Sequence, residues 1–239
     1  MKIGVLSDIH GNAIALDYAI EDLREQGITK VVILGDVVMK GPMPSEVIDT
    51  LKNSELDILS WIKGNTDIWF EEFSETYEAN NDREKQIYEY YKFAKENLDE
   101  DKIAFINALP YEYSFSVNTY KILCVHGTPK SIVEAVDSTV PETEIRKAIE
   151  GVKEDIILSG HSHTSFIGEV DGKKIFNVGS IGNQLDGDNR ISYGILDFTG
   201  DEVRLMNRRV SYPVDEIINM AEKREFPFLE SYKDSILNA

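Results

Sequence analysis

Met1-Lys-Ile-Gly-Val-Leu-Ser-Asp-Ile-His-Gly-Asn12 opens the chain. Residues 2–7 form an apolar run without helical spacing, the pattern of a short buried strand. The run ends in Asp8-Ile9-His10, and Gly11-Asn12 then leads into an apolar helix start. In an open α/β sheet, ligands bind outside the carboxyl ends of the strands. The strand therefore delivers a carboxylate and an imidazole to that place, and an extended chain points both to one side. Asp with His is a usable pair for a borderline metal. Taken alone, the pair is a weak signal, and an N-capping Asp beside a surface His is the plainer reading.

The next elements repeat the arrangement. A helix is expected over 13–26, with Ile14, Tyr18 and Leu23 on its core face and Gly27 as its stop. Residues 30–34 make a second strand ending in Gly35-Asp36, and Ser45 with Glu46 opens a helix through Leu51. Residues 57–62 make a third strand ending at Lys63-Gly-Asn-Thr-Asp67. This βαβαβ rhythm predicts a parallel sheet. About 68–110 then lacks any strand-like run. Trp69, Phe73 and Tyr77, and later Ile87, Tyr91, Ala94 and Leu98, recur at helical spacing, with Asn81 and Asp99 as caps. We read a helical insertion within a single domain spanning 1–239, either a plain packing element or a cap beside the site.

Past Pro110 the pattern turns to β. Hairpins are expected around Asn118-Thr119, Asp171-Gly172 and Thr199-Gly-Asp201. The strand before His126-Gly127 and the strand at 155–158, before Ser159-Gly-His-Ser-His163, again end in polar residues. A polar helix over 141–150 separates those two strands, and the tail from Pro213 reads as helical and polar.

The chain has 239 residues, 42% of them hydrophobic, enough for one large domain with a real core. No stretch approaches the ~18 apolar residues of a membrane span. Met1 leads straight into the first strand, so no secretory leader is expected and a cytoplasmic location is. One cysteine, Cys124, excludes an internal disulfide and a cysteine-rich zinc site, and its apolar strand makes it a core residue. The formal net charge of −18 disfavours long nucleic acid and anionic membranes as partners. A small phosphoester or nucleotide remains compatible, because bound cations would supply local positive charge. A homo-oligomer is compatible with the sequence as well.

The chemistry lies in the joint pattern. Gly-Asp and Gly-Asn alone are turn dipeptides. Yet all four histidines of the chain stand just past predicted strands. Asp8, His10, Asp36, Asn65, His126, His161 and His163 make seven candidate ligands, and glycines beside them let the backbone turn so that they converge. If Asp36 bridges with its two oxygens, two metals receive four protein ligands each. Two ions ~3.5–4 Å apart form the clamp used in phosphoester hydrolysis. The mixed nitrogen and oxygen set favours Mn, Fe, Co, Ni or Zn over Ca.

In this order the motifs Asp8-x-His10, Gly35-Asp36, Gly64-Asn65, His126 and Gly160-His-x-His163 resemble those of the calcineurin-like metallophosphoesterase superfamily, most closely its small prokaryotic phosphodiesterase branch. Asn177-Val-Gly-Ser-Ile-Gly182 continues the likeness. The resemblance implies a four-layer α/β/β/α sandwich of two mixed sheets with the dimetal site at one end. It implies a first metal, Mn before the others, on Asp8, His10, Asp36 and His163, and a second on Asp36, Asn65, His126 and His161. A metal-bridging hydroxide would attack a phosphodiester or phosphomonoester, with Asp36 and His126 among the catalytic groups. Asn12 and Asn65 would contact the substrate. Many relatives carry His after Gly-Asn, whereas here the sequence is Gly64-Asn65-Thr66-Asp67. Asp67 is then the candidate general acid, provided its pKa is raised; otherwise it caps the following helix. A dinucleoside polyphosphate hydrolase, a protein phosphatase and a non-catalytic metal-binding scaffold are the alternative readings. The second motif lacks the arginine of protein phosphatases, and no motif histidine is missing, as it is in a scaffold.

Overall fold

The structure is a computed structural model, and it describes residues 1–238. The amino-terminal half alternates β1 (Lys2–Leu6), α1 (Ala13–Glu25), β2 (Lys30–Ile33), α2 (Pro44–Asn53) and β3 (Asp57–Trp61). Helices α3 (Trp69–Glu72), α4 (Asp82–Glu96) and α5 (Glu100–Asn107) follow. The second half holds β4 (Glu112–Val117), β5 (Tyr120–Val125), α6 (Glu142–Ala148), β6 (Ile156–Ser159), β7 (Ser165–Val170), β8 (Lys173–Val178), β9 (Ile191–Asp197) and β10 (Arg204–Val210). Helices α7 (Val214–Lys223) and α8 (Leu229–Leu237) end the chain.

Two five-stranded sheets form, in the orders β10-β9-β1-β2-β3 and β4-β5-β6-β8-β7. Each has a parallel trio, β1-β2-β3 or β5-β6-β8, with antiparallel strands beside it. The expected sandwich of two mixed sheets flanked by helices is therefore present. The apolar runs follow from its layers. Strand residues alternate sides, so Ile3, Val5, Val32 and Leu34 meet Ile122, Cys124, Leu158 and Phe176 between the sheets. Their neighbours Leu6, Val31 and Ile33 pack outward on the helices of the first half and of the tail. Leu123, Val125, Ile157 and Ile175 pack outward beside Ile145 of α6. Burying each such side chain contributes roughly 1.5–3 kcal/mol. Cys124 is fully buried among them, as its strand predicts.

The hairpin at Asp171-Gly172 has both residues at positive φ, 52° and 73°, the backbone of a two-residue turn of the right twist. Asn81 and Asp99 cap α4 and α5, accepting from the amides of Glu84 and Lys102. Two expectations change. The buried face of α1 is Ala15, Leu16, Ala19, Ile20 and Leu23, whereas Tyr18 is exposed. Leu23 packs inward as expected, close against β1, where a Cβ on Gly4 would stand 2.7 Å from Leu23 Cδ2. The carboxy-terminal tail is amphipathic rather than polar, burying Ile217, Ala221, Phe226, Tyr232 and Ile236.

Candidate metal centre

The parallel strands of both sheets end at one edge of the sandwich. β1, β2 and β3 deliver Asp8 and His10, Asp36, and Asn65; β5 and β6 deliver His126, and His161 and His163. Glycine does not supply the sharp turns on its own. Asp8, His10, Asp36, His161 and His163 themselves hold positive φ, between 47° and 67°. Non-glycine residues in that region cost on the order of 1 kcal/mol or more each, and such strain clusters at functional sites. Gly11 and Gly35 share that region, at 58° and 92°, and other glycines serve close approach. A Cβ on Gly64 would collide with Asp36 Oδ1, and one on Gly160 with Ser7 Oγ and Asp8 Oδ2.

The first group is Asp8, His10 and His163. His10 Nδ1 lies 3.1 Å from Met39 O, and His163 Nδ1 contacts Asn183 O. A carbonyl only accepts, so both Nδ1 atoms carry their protons and both Nε2 atoms present lone pairs. Those lone pairs face each other at 3.0 Å. Asp8 Oδ1 stands 3.6 Å from one and 3.2 Å from the other, buried and without a hydrogen-bond partner. Its other oxygen is tied by Ser7 Oγ at 2.5 Å and His161 N at 3.0 Å. Two lone pairs and a bare carboxylate oxygen around one point are mutually repulsive unless a cation lies between them.

The second group is Asp36, Asn65, His126 and His161. Asp36 Oδ2 stands 3.7 Å from His10 Nε2 and 3.6 Å from His126 Nε2. Asp36 Oδ1 accepts from Thr66 N at 2.8 Å. Asp36 Oδ2 is thus the oxygen turned toward both His10 and His126. His126 Nδ1 donates to Leu34 O at 2.7 Å, which turns Nε2 toward Asn65 Oδ1 at 3.0 Å. His161 Nδ1 approaches the same oxygen at 2.8 Å. The donor atoms of Asp8, His10 and His163, and of Asp8, Asp36 and His126, each lie within 4.8 Å of one another. This nitrogen and oxygen set fits a divalent transition ion. Metal-ligating histidines characteristically donate their other N–H to a carbonyl, as His10, His126 and His163 do here.

The electrostatics follow from burial and crowding. Burial raises the carboxyl of Asp8, yet the charges of the neighbouring His163 and His126 hold it well below its ordinary value. Asp36 is likewise raised by burial and lowered more by His126 and His10. Burial first and Lys40 second lower His10 to about 4. Burial and the charge on His126 lower His161.

Two residues make contacts that the sequence did not predict. Asn12 is buried as the N-cap of α1, accepting from Ala15 N at 3.0 Å and donating to Gly182 O and Tyr212 OH. Its amide is used up in the fold and is not turned to a substrate. Thr66 is fully buried as well. Burial first and the charge of Asp36 second push Asp67 up to about 7, but both its oxygens are committed. Oδ2 accepts from Asp36 N and Gly64 N, each at 2.8 Å, and Oδ1 from Val37 N at 3.3 Å. Asp67 therefore clamps the turns after β2 and β3. It does not cap α3, and the raised pKa that the general-acid reading requires is present.

Sequence reading missed the residues that hold the ligand loops. Ser180 Oγ donates to Asp8 O at 2.8 Å, and Ile181 N and Gly182 N bond Ser7 O and Asp8 O. Asn177 Nδ2 reaches Gly160 O at 2.6 Å and Ser162 Oγ at 2.9 Å, which fixes the His161–His163 loop. The segment 177–182 carried the only signal of this.

The calcineurin-like phosphoesterase superfamily domain matches residues 1–201 of the chain. A phosphodiesterase of Methanocaldococcus jannaschii is 27% identical over 206 residues, covering 85% of this chain and 97% of its own. Among solved structures, a hypothetical protein from Pyrococcus horikoshii superposes with a TM-score of 0.85 at 21% identity, over 98% of this chain and 97% of that one. A metallophosphoesterase from Sphaerobacter thermophilus gives 0.79 at 22% identity, over 100% and 98%. These two likenesses concern the fold; the domain match spans most of the sequence, and the chain belongs to the calcineurin-like phosphoesterase superfamily.

Proposed function

We propose that the protein hydrolyses phosphoesters of small substrates, phosphodiesters foremost, with two divalent transition metals, Mn in the first place. The observation that carries this reading is the meeting of two imidazole lone pairs, 3.0 Å apart, with an unpartnered carboxylate oxygen of Asp8. Asp8, His10, His163 and Asp36 would hold one ion, and Asp36, Asn65, His126 and His161 the other. Bound there, the ions would supply Lewis acidity and an activated water for in-line displacement at phosphorus.

The chain's own part is to fix the donors and set their charge. Carbonyls of Met39, Leu34 and Asn183 hold the ring tautomers. Thr66 N holds one oxygen of Asp36 and so aims the other between His10 and His126. The name of the related archaeal phosphodiesterase supports a diester substrate. The net charge of −18 supports a small one over long nucleic acid.

The test is elemental analysis of manganese-loaded protein together with turnover of bis(p-nitrophenyl) phosphate and p-nitrophenyl phosphate. We expect about two ions per chain, as in a two-metal clamp, and faster cleavage of the diester. One ion per chain would remove the dinuclear site. Two ions with no turnover of either ester would leave a metal-binding scaffold.

A further inference from the structure

His126 belongs to two places at once. Its Nε2 faces Asp36 and Asn65, and it also lines a pocket of about 200 Å³ beside the cluster. Tyr111 forms one wall of that pocket, and Pro129 and Ile132 stand in its lining too. The volume is below the ~300 Å³ of a whole-ligand site, so it suits part of a molecule whose remainder lies on the cluster.

Tyr111 is unusual for its surroundings. It is 53% exposed, in a segment held to the site by the hydrogen bond from Lys63 N to Pro110 O at 2.8 Å. The Lys63 ammonium lies 5.0 Å from the centre of the Tyr111 ring. Lys63 is itself buried and paired with Glu71, so the ammonium is held over one face of the ring. A cation over one face also pins the ring, so that less freedom is lost when a ligand stacks on the other.

The charge around the pocket selects against a second phosphate. Lys130, the cation in the lining, already bonds Lys147 O and pairs with Glu150 at 3.2 Å. Glu112 adds a carboxylate that forms no ion pair among the described residues. An anionic group placed there would meet a negative charge without a free cation. An uncharged ring meets an aromatic face and apolar walls, and a ring amino group could donate to Glu112.

Resting on the phosphoesterase reading above, we infer that the Tyr111 pocket takes the organic group of the substrate, and that this group is an uncharged planar ring such as a nucleobase. Tyr111 is then a specificity-determining residue, and the preferred substrates are nucleoside or aryl phosphoesters rather than polyphosphates.

Calorimetric binding to the manganese-loaded full chain tests this with adenosine 5′-monophosphate and methyl phosphate, which share the phosphate and differ in the ring. Adenosine monophosphate binds more tightly to the natural protein. Tyr111→Ala lowers the ratio of the two affinities about fivefold or more, the scale of one base stacked on an aromatic ring. Tyr111→Phe keeps the ratio, because stacking needs the ring and not the hydroxyl. An unchanged ratio in Tyr111→Ala overturns the inference, and so does an equal loss of both ligands, which would make Tyr111 a support of the cluster. If methyl phosphate binds and the natural ratio is one, the pocket assignment falls while the phosphoesterase reading stands. If neither ligand binds the loaded protein, that reading falls and takes the pocket with it.

Discussion

Asp67 separates two accounts of the same site. As a proton donor it would be dispensable for folding and for metal binding. As a clamp it satisfies the amides of Asp36, Val37 and Gly64, and Asp36 returns a bond from Thr66 N. Asp67→Asn places an NH₂ where a carboxylate oxygen accepted buried amides. Each donor left unpaired costs about 1–3 kcal/mol. We expect a lower urea midpoint by that order and fewer than two manganese ions retained per chain. Unchanged stability and metal content with turnover lost would restore Asp67 as the acid. The comparison also shows what a sequence reveals at this scale. Asp8, His10, Asp36, Asn65 and the other histidines were legible because each interrupts the end of an apolar run. The hydrogen bonds of Asn12 and Asp67, in the same motifs, are not legible there, because they depend on distant partners. Gly182 and Tyr212 use up the amide of Asn12, and Asp36 and Val37 use up the carboxylate of Asp67.

Among the elements, the helical insertion is the one whose place no local pattern fixes. Its stripes and caps are visible in the sequence, but what the stripes pack against is not. Tyr90 of α4 stacks on Phe226 at 5.3 Å, Phe93 meets the same ring edge-on at 4.9 Å, and Tyr232 of α8 closes the group at 4.9 Å. Trp61 of β3 meets Phe105 of α5 at 5.1 Å. The insertion thus packs between the first sheet's strand β3 and the chain's last two helices. The tail looked polar because charged residues fill its outer face and hide a stripe of period about 3.6. Phe226 is 3% exposed at the centre of this junction. Phe226→Ala should cost roughly 3–5 kcal/mol, the range for emptying a buried aromatic site. Urea unfolding measures it, and the manganese count should stay at the natural value, since the junction touches no candidate ligand. A loss under 1 kcal/mol would mean that the insertion and the tail are only loosely joined.

At the scale of the whole molecule, the site belongs to neither sheet alone. The first sheet carries Asp8, His10, Asp36 and Asn65 past its strand ends, and the second carries His126, His161 and His163. An ion held by both sets binds the folded chain and not the unfolded one. It should stabilise by about 2.7 kcal/mol at a free concentration a hundredfold above Kd, or about 5–10 °C in Tm for a chain of this size. The increment depends on pH through His126. Burial lowers its pKa, but the carboxylates of Asp36 and Asp8 outweigh burial and leave it raised above 6.5. In the metal-free protein this group therefore adds stability that is fully present below 6.5 and fades as pH rises through the folded value. A metal at His126 displaces that proton, so its own contribution grows over the same window. His10, held down to about 4, has no proton to give up near neutrality and adds no slope there. Manganese should accordingly raise Tm more at about pH 8.5 than at about pH 6.5, and His126→Ala should remove most of the difference. Differential scanning calorimetry with and without manganese at both pH values measures it. Equal increments in the natural protein would mean that His126 carries no proton for the metal to displace.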